Sequence, residues 1–157
     1  MHRYVRALAL VGPLLGSPRD AAAQGAEPNL LTSVKNLNCI FPLSVSAGWQ
    51  DGEPAAMVRS GGVMKLRILD IDTQDGSARF EGASSSHVVA QLAGWNLHFL
   101  DIEPAGALSV TTVFSQVGRE GQRKAVQSRT DYLPITLPRF VSTPTVSQHY
   151  GLCEPLK

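Results

Sequence analysis

Apolar and polar positions alternate with a period of two along most of the chain beyond residue 37. Cys39, Phe41, Leu43, Val45 and Ala47 fall on one face, with Asn38, Pro42, Ser44 and Ser46 opposite, the pattern of a half-buried strand. Pro42 cannot donate to a ladder, so this strand is expected at an edge or to carry a bulge. Gln50-Asp51-Gly52-Glu53-Pro54 reads as a loop, and Ser60-Gly61-Gly62 as a break. Met64, Leu66 and Ile68 then alternate with Lys65, Arg67 and Leu69. Asp75-Gly76 signals a hairpin, returning through Ala78, Phe80 and Gly82.

The second half repeats the pattern. His87 to Leu92 is a short strand, and Ala93-Gly94 turns into Trp95, Leu97 and Phe99 alternating with Asn96, His98 and Leu100. After the turn Glu103-Pro104-Ala105-Gly106 come Leu108, Val110, Thr112 and Phe114, a run rich in β-branched residues. Gly118-Arg119-Glu120-Gly121 turns the chain back into Gln122 to Tyr132. Pro134, Pro138 and Pro144 then predict an irregular tail as far as Cys153.

No stretch shows the 3.6-residue repeat of an amphipathic helix. Short strands at close spacing predict an all-β fold, a single small antiparallel meander of about seven to eight strands closed as a barrel or folded as a two-sheet sandwich. The barrel is preferred, because a tail tied back by a disulfide could close or cover an exposed edge.

The N-terminus changes the picture by adding a compartment. Arg3 and Arg6 precede the apolar run Ala7 to Gly16, and Ala21-Ala22-Ala23 supplies small residues for cleavage. This is the pattern of a signal peptide over residues 1–23, and the run is too short to span a bilayer. Residues 24–36 then form a flexible lead-in, and 37–157 a single β-domain. In an oxidising compartment the two cysteines, Cys39 and Cys153, are expected to pair. The location implied is the periplasm, the cell surface or the medium.

Of 14 basic and 13 acidic side chains, the leader carries Arg3, Arg6, Arg19 and Asp20. Without them the count is 11 against 12, a net charge of −1, which gives no electrostatic reason to expect nucleic acid or an anionic membrane as partner.

Candidate chemistry is sparse. Asp70, Asp72 and Asp75 precede Gly76, a clustering of hard oxygens that calcium uses. An EF-hand loop would need glycine where Asp75 stands, and a solvated hairpin explains the cluster as well. His87, His98 and His149 lack the close spacing of a zinc motif, although His87 and His98 are expected on paired strands where a metal or catalytic site could use them with nearby carboxylates. Asp101 and Glu103 share a strand face, an arrangement able to do acid–base work but equally a hydrophilic strand end. No nucleophile elbow is present, so no enzyme and no cofactor are expected. Trp49 and Trp95, each beside a glycine, are candidate ligand or partner contacts.

Gly48-Trp49 resembles, in one short motif, the Gly-x-Trp of lipocalin-type carriers without its intervening residue, and no family is assigned on it. The expectation is a non-enzymatic, exported binding or structural module with an unknown protein or small apolar ligand as partner. The alternative is a lipocalin-like carrier of a small apolar ligand. An enzyme or metal site built on His87 and His98 ranks third.

Overall fold

A computed structural model describes residues 30–50, 52–82, 88–104, 106–131 and 144–156. The expected signal peptide, residues 24–29 of the expected lead-in, His87 and the proline-rich stretch 132–143 lie outside them. Eight antiparallel strands follow one another in chain order and close into a barrel. They are β1 Leu37–Gln50, β2 Glu53–Asp72, β3 Ser77–Phe80, β4 Val88–Ala93, β5 Asn96–Ile102, β6 Leu108–Val117, β7 Arg123–Asp131 and β8 Thr145–Pro155. The all-β meander expected from the periodicity is therefore the fold, in its barrel form.

The C-terminal tail differs from its reading as irregular chain. Residues 145–155 form β8, which pairs with β7 on one side and β1 on the other. The prolines misled because Pro144 only precedes the strand and Pro155 only ends it, where a missing donor costs no ladder bond. The expected disulfide is present. Cys39 and Cys153 are direct cross-strand partners, fully buried, so the bridge fastens the seam where the last strand meets the first.

One end of the barrel is packed with apolar side chains. Leu37, Cys39, Phe41, Ile68, Ile71, Ala78, Phe80, Leu97, Phe99, Val113 and Cys153 belong to one buried cluster, and Phe80 meets Phe99 edge-on at 6.3 Å between ring centroids. Leu31 and Val34, read as part of the lead-in, are buried in the same cluster. Leu31 follows from the short 3-10 turn Leu30–Thr32, which places it under the barrel where the hairpins β2–β3, β4–β5 and β6–β7 also lie. Arg67 with Glu81 and Arg79 with Asp70 form cross-strand ion pairs outside the barrel.

Bulges on β1 and β2 change which residues face inward. On β1, Ile40 pairs with Leu152 and Leu43 with Tyr150, so Phe41 and Pro42 together oppose Gly151. Phe41 is buried, whereas Leu43 is exposed. Beyond the bulge Ser44 and Ser46 share a face with their partners His149 and Ser147, and Leu43, Val45 and Ala47 turn outward. The single apolar face from Cys39 to Ala47 is thus broken at Pro42, because one extra residue reverses the alternation. Only glycine fits opposite: a Cβ on Gly151 would overlap the Ile40 carbonyl oxygen and stand 2.7 Å from Phe41 Cα. On β2, Asp70 at φ 55° makes the second bulge and returns Ile71 to the core, a backbone state that aspartate tolerates.

Candidate functional site

The inward-facing side chains change character along five neighbouring strands. From the packed end towards the opposite end, β5 presents Leu97, Phe99 and Asp101, and β6 presents Val113, Thr111 and Ser109. Ala125, Gln127 and Arg129 follow on β7. On β8 come Gly151, His149 and Ser147, and on β1 Phe41, Ser44 and Ser46. The register ties them into rows: Phe99, Thr111, Gln127, His149 and Ser44 in one, and Asp101, Ser109, Arg129, Ser147 and Ser46 in the next. Inward positions on β3 and β4, namely Ala78, Phe80, Val88 and Ala90, remain apolar. The interior is therefore uneven around its circumference, with polar positions on β5 to β8 and β1 and members of the buried apolar cluster on β3 and β4.

At its rim Arg129 is held from two sides. Its Nε donates to both Asp131 carboxylate oxygens at 3.0 Å, its Nη2 donates to Glu103 Oε2 at 3.0 Å, and its Nη1 also donates to Glu103. These bonds, Glu103's foremost, keep the guanidinium more firmly protonated than usual. They link the β5–β6 connection to the end of β7. Glu103 is itself fixed by a turn in which its amide donates to the Ala107 carbonyl and its carbonyl accepts from Gly106.

Deeper in, several polar groups are unsatisfied by protein. Asp101 is 4% exposed and Thr111 0%, yet among the described residues Asp101 Oδ1 and Thr111 Oγ1 have no hydrogen-bond partner, and neither has His149 Nδ1. Burial holds the His149 imidazole below its usual value of 6.5. Native proteins pair nearly all such groups, so an orphan cluster calls for an explanation. The fourth orphan, Arg123 Nε, lies near the other end, its residue opposite Cys153 in the ladder.

The residues singled out by sequence are dispersed. Asp70 pairs with Arg79 on the outside, and Asp72 Oδ1 accepts from the amides of Gln74 and Asp75 at 2.8 and 3.1 Å, which shapes the β2–β3 turn. Those amides, Asp75's first, hold the Asp72 carboxyl below the usual carboxylate range. Asp75 is exposed at that turn. His98 points outward from β5, its Nδ1 3.1 Å from Thr112 Oγ1, so it does not share the interior with His149. Among the described residues no three His, Cys, Asp or Glu side chains gather as a metal site. Trp49 lies towards the β1–β2 turn and Trp95 in the β4–β5 turn, at opposite ends of the barrel and both exposed. They cannot wall one pocket.

Asp101 and Glu103, read as a carboxylate pair, are separated in role: Glu103 belongs to the Arg129 cluster and Asp101 is buried without a cation. Ser109, Thr111 and Gln127 were missed because Leu108, Val110, Thr112 and Phe114 on β6 look like the core face, whereas the odd-numbered set faces in. A shallow groove of about 360 Å³ also runs outside the barrel, lined by Phe114, Gln116, Lys124, Val126 and Tyr150. Among the described residues no helix is long and apolar enough to cross a membrane. In comparisons with protein-family models, curated proteins and solved structures, nothing matches the chain.

Proposed function

We propose that this chain is an exported, non-enzymatic binding protein that takes a small molecule into the polar-lined end of its barrel. The observation that carries this reading is the inward cluster of buried, unpaired polar atoms on Asp101, Thr111 and His149. Leaving such groups without partners costs about 1–3 kcal/mol each, a cost that a bound molecule offsets. Small barrels hold one small ligand where side chains do not fill the interior. The lining favours a ligand with a polar side and an apolar side over the wholly apolar cargo expected from sequence. Export rests on the leader pattern and fits the disulfide.

Native mass spectrometry of protein recovered from the periplasm tests this. An added non-covalent mass is expected, lost in Ser147→Phe, which narrows the mouth. A bare mass, together with interior NMR signals unmoved by a small-molecule library, would refute the reading.

A second reading has its own observation. Among the described residues, β2 from Glu53 to Met64 has ladder partners only on β1, and Val58 and Val63 on this arm are 71% and 55% exposed. An open edge with exposed apolar side chains suits strand addition by a protein partner. Cross-linking from the β1–β2 arm would reveal such a partner; a ligand in the barrel would not.

A further inference from the structure

Asp101 sets the interior's demand most sharply. Its carboxylate is almost fully buried, and its Oδ1 has no partner. The register places Ser109 directly opposite on β6 and Thr111 diagonally adjacent on the same face, with Phe99 next along β5. Thr111 Oγ1 is a second buried orphan, and Gln127 lies beside Thr111 in the ladder. Arg129 lies one strand beyond Ser109, but its donors are engaged by Glu103 and Asp131. Among the described residues, three carboxylates and one guanidinium therefore lie at this end, and the most deeply buried carboxylate, Asp101, is in no ion pair.

A carboxylate removed from water is retained when a positive charge and hydrogen-bond donors replace its hydration. We propose that the ligand of this barrel carries an ammonium group that binds the Asp101 carboxylate. This rests on the binding reading above and names its chemical class. Thr111 and Gln127 supply acceptors for the remaining ammonium protons. His149 lies in the next strand of the same row, and burial disfavours its protonated form.

The test compares three probes of similar shape by NMR titration of the full mature chain: 2-phenylethylamine, 2-phenylethanol and 3-phenylpropanoate. The amine is expected to bind at least about tenfold more tightly than the alcohol, as charge-assisted bonds exceed neutral ones, and the anion more weakly than either. Asp101→Asn should reduce the amine's advantage to about onefold while leaving the alcohol's affinity in place. Thr111→Val should weaken the amine without removing its preference. The melting temperature of Asp101→Asn, expected to be equal to or above that of the wild type, shows that the variant folds.

If amine and alcohol perturb Phe99 and Thr111 equally, or if the preference survives Asp101→Asn, the ammonium assignment is overturned and the barrel remains a binding site. Should none of the three reach the interior, the assignment falls as well. The native mass measurement then decides the broader reading separately.

Discussion

The bridge between Cys39 and Cys153 joins residues that already sit side by side in the ladder, yet lie 114 positions apart in sequence. Its effect should therefore come chiefly through the unfolded chain, which it closes into one long loop. The chain-entropy relation gives about 4.8 kcal/mol at 25 °C for a loop of that length. Little native-state contact is lost in Cys39→Ala with Cys153→Ala, since both positions are buried in an apolar cluster that accepts a methyl group. For a domain of this size the loss corresponds to a fall in melting temperature of about 15 °C. The assay is chemical denaturation of the oxidised wild type, the reduced wild type and the double variant. The last two should agree and lie about 4–5 kcal/mol below the first. A difference under about 1 kcal/mol would refute the reasoning, because the denatured chain would then already hold β1 beside β8 without the bridge.

Gly151→Ala should destabilise the domain by about 3 kcal/mol or more, as the added methyl meets backbone of Ile40 and Phe41 and not a movable side chain; urea denaturation measures it, and a loss below about 0.5 kcal/mol would mean that the bulge opens freely. For His149 the folded-state proton affinity is depressed. The unfolded chain therefore binds more protons just below the usual imidazole value of 6.5, and stability should fall as pH drops from that value through the depressed one. Melting curves between neutral and mildly acidic pH should show this slope in the wild type and lose it in His149→Asn.

The strand pattern and the bridge were legible in the sequence because they are carried by local alternation and by a count of two cysteines. The inward face was legible only where alternation runs unbroken, as from Leu97 to Phe99. On β1 it failed at Pro42, since the number of residues in a bulge depends on the partner strand and Gly151 lies more than a hundred positions away. On β6 both faces carry β-branched or apolar residues, so the choice between Thr111 and Thr112 is made by the register with β5 and β7. Leu31 was read as loose chain because one buried residue on a single short turn leaves no periodic signal. The candidate site has the same origin: Asp101, Thr111 and His149 come from three strands and share no motif.

The bulge at Phe41 and Pro42 makes the lining of the barrel mouth a matter of parity. Because Ser44 and Ser46 share a face with His149 and Ser147, excising Pro42 while keeping that pairing would remove the bulge and leave both serines inside; only a slip of the pairing by one residue would bring Leu43, Val45 and Ala47 in. A one-residue slip of register could thus exchange a hydroxyl-bearing wall for a greasy one, a change of lining that point substitution would reach only through several coordinated steps. Related barrels whose pairing is shifted by one residue beyond this corner are where a different lining should be sought.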